Sequence, residues 1–269
     1  MKEPFDRQAQ SEICQYIVHH DTYETRRGLG DYCHKLGREF RQRLWALQGH
    51  DLWLDVGAGE GMAQLEYVPW MDGKQVAGLD RAPPLGQATC SLVSCDCRRP
   101  SLAGLAHDGR RRFLVKDGAA LTLADLGGRP ASLITDLYGA LSYAPDFSGI
   151  LSVYLGLLRP GGYLCAQLGT EGGWITSGHR LQAYVRDIRG ARLIALRRAA
   201  QSTERLPGRD LVLERTAGLV EVPALELVRV RRHHPPRREY AYRGGRSCNP
   251  LAQASHLARR MHHCVARRS

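Results

Sequence analysis

Residues 52–61 read LWLDVGAGEG, an apolar run that stops at an acid and breaks into three glycines at alternate positions. A short continuous apolar run bounded by glycine reads as a strand buried on both faces. Glycine lets the backbone turn sharply and approach a ligand where a β-carbon would block it. In open α/β sheets, ligands sit in the crevice at the carboxyl ends of the strands. This segment therefore constrains both the fold and the place of a site. The competing reading is a tight strand–helix turn that holds nothing.

From residue 51 the texture stays the same. Apolar runs at 75–79, 113–115, 132–135 and 163–167 are separated by helical lengths. Strands alternating with helices imply a parallel sheet, because a parallel crossover needs a helix to return the chain. Residues 181–188 read as one more helix. Residues 191–198 and 210–216, joined by a polar connector with Pro207-Gly208, read as an antiparallel pair closing the sheet edge. Residues 224–230 add a further candidate strand, and 251–265 an amphipathic helix or a mobile tail. Before the sheet, Ile13, Tyr16, Ile17 and His20, then Leu36, Phe40, Leu44 and Leu47, recur at helical spacing. They make a helical cover or lid, in which Tyr23 and Tyr32 are placed to fold over a ligand or simply to pack. The expected divisions are residues 1–50 for the cover, 51–231 for the α/β domain and 232–269 for a basic C-terminal extension.

Composition removes other classes. The 269 residues are 43% hydrophobic and 24% charged, enough apolar side chain to build a core rather than a disordered chain. No run approaches the ~18 apolar residues that a membrane helix needs. The N-terminus carries acids and no apolar core, so it does not read as a secretory signal. Eight cysteines are too sparse for a disulfide scaffold, and free thiols in a reducing cytosol are the economical reading. Cys90, Cys95 and Cys97 with His107 match no usual zinc spacing, so no metal is expected. The formal charge of +11 is concentrated late: residues 181–269 hold nineteen Lys or Arg and seven Asp or Glu. Such a surface suits RNA phosphates, an acidic substrate, or nothing beyond solvent.

The acids at the expected strand ends carry the chemistry. The glycine spacing is G-x-G-x-G after Asp55, not the G-x-G-x-x-G of diphosphate-binding loops, and Asp55 suits a ligand carrying an ammonium group. The run 75–79 ends in Asp80, where a carboxylate can accept both hydroxyls of a ribose. Asp117 follows the third run beside Gly118, and Asp136 the fourth, two residues before Tyr138. Turn chemistry alone would scatter Asn, Ser and Gly among these places.

Taken in order, these elements resemble the class I S-adenosylmethionine-dependent methyltransferases over roughly residues 50–217. DVGAGEG resembles the family's first motif, Asp117-Gly118-Ala119 its adenine element, and the stretch 139–164 its helix, reverse turn and fifth strand. The resemblance implies an α/β fold: a Rossmann-like, doubly wound sheet of about seven strands, mostly parallel with an antiparallel edge strand, plus the helical cover. It implies that Gly57, Ala58 and Gly59 line the methionine part of S-adenosylmethionine, with Asp55, Glu60 and Gly61 in the same turn. Asp80 would hold the ribose, Arg81 flank the adenine, and Asp117 and Gly118 meet its edge. Asp136 would lie near the methionine end and Tyr138 near the transferring methyl, with S-adenosylhomocysteine as product.

The candidate general bases are His179 and Tyr143, with Glu171 behind them; His titrates near neutrality and can take a proton from a hydroxyl or amine. Residues 136–139, Asp-Leu-Tyr-Gly, lack the prolines of adenine amino-methylating enzymes, and the place of a cytosine C5 nucleophile holds no cysteine. The resemblance therefore implies transfer to an O or N of a small-molecule or peptide acceptor of natural-product type. An RNA methyltransferase and a non-catalytic cofactor-binding interaction protein are the alternatives.

Overall fold

The structure, a computed structural model, describes residues 26–84, 86–96, 110–143, 146–169, 174–175, 178–199, 208–231 and 237–242. The expected helices at 13–20 and 251–265, together with Tyr23 and Glu171, lie outside these residues. The strands are β1 Leu52–Val56, β2 Ser91–Asp96, β3 Arg111–Val115, β4 Ala131–Leu137, β5 Leu158–Leu168, β6 Trp174–Ile175, β7 Ala191–Arg198, β8 Arg209–Arg215, β9 Glu226–Arg231 and β10 Arg237–Ala241. The helices are α1 Leu29–Lys35, α2 Gly37–Ala46, α3 Met62–Met71, α4 Ala140–Tyr143, α5 Phe147–Leu157 and α6 Gly178–Arg186.

Seven strands make one sheet in the order β3-β2-β1-β4-β5-β8-β7. Pairing from β3 through β5 is parallel, and β8 runs antiparallel to both β5 and β7. The antiparallel strand thus stands one place in from the edge. Strand order reverses between β1 and β4, so a crevice opens there at their carboxyl ends. A second sheet, β6-β10-β9, straddles residue 231, where a domain boundary was expected.

β1 is buried at every position, and its alternation sorts its side chains between two cores. Leu52, Leu54 and Val56 join Ile134, Leu164 and the apolar face of α5. Seven of the eleven residues of α5 are buried, and its start is capped by Asp146, which accepts from the Gly149 amide at 2.8 Å. Trp53 faces the other core with Tyr32, Phe40 and Tyr67, at ring-centroid distances of 6.4, 5.8 and 5.6 Å. Aromatic pairs of this kind add about 0.5–1.5 kcal/mol each beyond burial. Residues 29–46, read from sequence as a cover, are therefore packed as core. Polar ties fasten them as well: Arg197 bonds Glu39 at 2.6 Å, and Gln167 donates to Asp210 at 2.8 Å and to the Lys35 carbonyl at 3.2 Å.

One expected strand is misplaced. Residues 75–79 form a largely exposed turn, with Gly78 at φ +78°, and the second strand is Ser91–Asp96. The true strand hides because Ser94 interrupts its apolar run. Folding makes Ser94 tolerable: its hydroxyl donates to Gln64 Oε1 at 2.9 Å, while Gln64 Nε2 donates to the carbonyls of Trp53 and Val93. Every buried polar atom of that side-chain pair finds a partner, as burial requires. Cys90 and Cys95 are fully buried and outside any disulfide.

Candidate functional site

The carboxyl ends of β1 to β5 bring the glycine loop and most of the expected acids to one edge. The loop after β1 is fixed from β2: the Gly57 and Ala58 amides both donate to the Cys95 carbonyl, at 2.8 and 3.2 Å. Gly57, Gly59 and Gly61 all take positive φ, of 71°, 57° and 71°, which explains the alternate glycines. Gly57 also meets Gly139, in the loop after β4, backbone to backbone. A Cβ on Gly57 would collide with the Gly139 Cα, and a Cβ on Gly139 would fall 2.5 Å from the Val56 carbonyl oxygen. This approach brings the ends of β1 and β4 into van der Waals contact at the strand-order reversal.

Asp96, the last residue of β2, is the acid that sequence reasoning missed. Its Oδ2 accepts from the Gly59 amide at 2.9 Å, which sets a carboxylate beside the glycine loop. Asp80 and Arg81 were assigned to this place because 75–79 was read as the second strand. They lie instead in the connection between α3 and β2, both exposed, with the Arg81 guanidinium 4.6 Å from the Trp45 ring centroid. The signal that could have found Asp96 is the acid closing the Ser91–Cys95 run, next to the third strand.

Asp55 is fully buried on the α1 face of β1. Thr135 donates to it at 2.7 Å, and the Tyr32 hydroxyl lies 3.0 and 2.9 Å from its two oxygens. The Trp53 indole in turn donates to Thr135 at 2.8 Å. Burial pushes the Asp55 carboxyl up to about 7, against the two hydroxyl donors, with the charges of Asp136 and Asp96 adding to the rise. Asp136, buried on the opposite face, accepts from the amides of Gly139 and Leu141 at 2.7 and 3.0 Å and from the Tyr154 hydroxyl at 2.9 Å. Burial raises it to about 6, with those donors and Arg27 opposing. Asp136 thus shapes the β4 loop that meets Gly57.

Tyr138, next in that loop, has φ 54°, and its amide donates to the Gln167 carbonyl at 3.0 Å. Backbone of this kind costs a non-glycine residue of order 1–3 kcal/mol and persists where surrounding structure imposes it. Its ring is flanked by Gly169 after β5 and Gly208 before β8. At the end of β3, Asp117 accepts from the Ala119 amide at 2.9 Å and shapes the turn that follows. Gly118 is buried, where a Cβ would press on Val56 and Ala140, so it acts as a spacer beneath the edge. Ala58 is buried and Glu60 half-buried in the glycine turn.

The backbones of Tyr143 and His179 fall in the last turn of α4 and the first of α6, after β4 and β5 respectively. Their side chains, like Glu171, lie outside what the structure describes. Among the described residues no cluster of three or more His, Cys, Asp or Glu could hold a metal. No described helix is long and apolar enough to cross a membrane. Cavities of about 450 Å³ beside α6 and β7, and of about 390 Å³ between the start of α5 and residues 222–225, are lined by none of the glycine-loop residues or the acids at the ends of β1 to β4.

No family model and no curated protein sequence matches the chain. Solved structures do. The 1,6-didemethyltoxoflavin-N1-methyltransferase of Burkholderia thailandensis, solved with 1,6-didemethyltoxoflavin and S-adenosylhomocysteine, superposes with a TM-score of 0.51 at 16% identity, over 81% of this chain and 94% of that one. A Listeria monocytogenes protein described as a class I S-adenosylmethionine-dependent methyltransferase gives 0.51 at 13% identity, over 83% and 72%. The chain has the class I methyltransferase fold.

Proposed function

We propose that the protein is an S-adenosylmethionine-dependent methyltransferase acting on an O or N nucleophile of a small-molecule or peptide acceptor. The observation that carries this reading is the meeting of Gly57 with Gly139 while Asp96 is held against Gly59. A backbone cradle without β-carbons next to a carboxylate suits a nucleoside whose ribose presents two hydroxyls. The residues present fit the cofactor. Asp96 would hold the ribose, the turn Gly57-Ala58-Gly59 the methionine part, and Asp117 the adenine edge. Asp55 is buried behind the loop, and Asp136 holds the β4 loop in shape.

Bound S-adenosylmethionine supplies a methyl group on a sulfonium, ready for displacement; the protein's share is to bind, align and exclude water. Tyr138, held at positive φ between Gly169 and Gly208, would wall the acceptor side of the methyl. His179 or Tyr143 would take the acceptor's proton, since their backbones follow β5 and β4. The reading is a small-molecule one because a neighbour of equal fold is named for such an acceptor. The four described cysteines are buried and form no disulfide, which suits a reducing cytosol.

Calorimetry with S-adenosylhomocysteine tests the cofactor, and methyl transfer into fractionated small molecules tests the acceptor class. Transfer that vanishes with ribonuclease treatment of the extract would replace the small-molecule reading with the RNA one. A His179→Ala variant that loses the acidic limb of the pH–rate profile would place the base there.

A further inference from the structure

We infer that the methyl acceptor carries an anionic group, a carboxylate or a phosphate, and that Arg209 binds it. The inference deepens the methyltransferase reading above and rests on it. Arg209 opens β8, directly opposite Leu168 at the end of β5 on one side and Arg198 at the end of β7 on the other. It therefore stands at the same edge as the glycine loop. Gly208, the residue before it, is buried, and a Cβ there would lie 3.3 Å from the Tyr138 hydroxyl. So β8 begins beside the ring proposed to wall the acceptor side. Alternation along β8 turns Asp210 toward Gln167 and Arg197, and Arg209, Leu211 and Leu213 to the other face. α6 packs on that face through Leu181, Tyr184 and Val185, and its first turn holds the His179 backbone.

Two observations point to an anion. Arg209 is half-buried, and among the described residues its guanidinium makes no hydrogen bond or ion pair; the adjoining acid, Asp210, is turned to the opposite face and held by Arg197. Arg209 also stands across from a second guanidinium. The Ala199 amide donates to the Gly208 carbonyl at 3.0 Å, which makes Arg198 and Arg209 a non-hydrogen-bonded pair, the kind whose side chains stand closer. Like charges directly opposite each other destabilise a sheet, and an anion shared by the two removes that cost. Guanidinium forks match the paired oxygens of carboxylate and phosphate alike. The edge is thus divided in charge. β2 and β3 bring Asp96 and Asp117 to the cofactor half, while β7 and β8 bring Arg198 and Arg209 to the other. An anionic acceptor is repelled by the first half and held by the second, which orients it. Part of the basic excess of residues 181–269 thereby has a task.

The test uses the full-length chain, methyl-labelled S-adenosylmethionine and the small molecules of a ribonuclease-treated extract, split on an anion exchanger into retained and unretained fractions. Label should enter the retained fraction. Arg209→Gln should raise the amount of that fraction needed for half-maximal transfer by about 10- to 100-fold, as for a lost charged hydrogen bond. Its binding of S-adenosylhomocysteine, read by calorimetry, should stay within about twofold of wild type. Arg209→Lys should recover part of the loss. Arg189→Gln, which removes an exposed charge paired with Glu221, should transfer as wild type does. Phosphatase treatment of the retained fraction beforehand separates the two sources: label lost marks a phosphate, label kept a carboxylate. If Arg209→Gln does not fold, Arg209→Met is held to the same criteria. Label absent from the retained fraction, label found only before ribonuclease treatment, undiminished transfer by Arg209→Gln, or equal losses in Arg209→Gln and Arg189→Gln would each overturn the assignment. Wild-type binding of S-adenosylhomocysteine then separates the failures: binding leaves the cofactor reading standing, and no binding overturns that reading as well.

Discussion

The Tyr32 hydroxyl donates into the buried Asp55 carboxylate, 2.9 and 3.0 Å from its two oxygens, and so ties the N-terminal helices to the strand that carries the glycine loop. Removing that donor leaves Asp55 with Thr135 alone among its described hydroxyl donors. Tyr32→Phe should cost about 1–3 kcal/mol of stability, the usual penalty for a buried acceptor losing its partner. The loss should be larger at pH 8, where the carboxylate is ionised, than at pH 5. Denaturant titrations of both proteins at the two pH values measure it; an equal, small loss at both would show that the tie is incidental.

The same carboxyl makes stability depend on pH with an uncommon sign. Asp55 at about 7 and Asp136 at about 6 lie above the 3.8 of an ordinary aspartate. Between about pH 4 and 7 the native protein therefore holds protons that the unfolded chain has released. The contribution is complete at low pH and is lost as pH rises through 6 to 7. Asp55→Asn removes the Asp55 part. Its stability relative to wild type should improve from pH 5 to pH 8 by on the order of 2–4 kcal/mol. Parallel pH profiles for the two proteins would contradict the buried, protonated state.

Gly57 should tolerate no side chain. Alanine there meets both a φ of +71° and the Gly139 Cα, so Gly57→Ala should cost about 2–4 kcal/mol and weaken nucleoside binding more than about tenfold. Gly73 is the control, since its φ is +80° but nothing lies within 4 Å of its missing Cβ. Gly73→Ala should cost about 1 kcal/mol and leave binding unchanged. Thermal melts with and without S-adenosylhomocysteine read both effects.

Much of this fold was legible in the sequence because buried parallel strands advertise themselves as apolar runs. β1, β4, β5, β7 and β8 all lie where the pattern put them. β2 did not advertise itself. Ser91 and Ser94 break its pattern, and only the distant Gln64 makes Ser94 acceptable inside the core. The exposed run at 75–79 carries the apolar letters of a strand, but Val76 and Leu79 are spent on covering the α1–α3 core rather than on pairing. That one exchange put the expected acid of the second strand end at Asp80, whereas the acid that closes β2 is Asp96. Asp55 and Asp136 were legible as acids at strand ends. Their burial and their opposite faces were not, because Tyr32 and Tyr154 reach them from elements distant in sequence.

The central claim is that a nucleoside cofactor binds at the β1–β4 crevice with Asp96 on its ribose. Titrating S-adenosylhomocysteine into wild type, Asp96→Asn and Asp80→Asn tests it most directly. The wild-type protein should bind, Asp96→Asn should bind at least about tenfold more weakly, and Asp80→Asn should match wild type. No binding to the wild type, or a loss confined to Asp80→Asn, would contradict it.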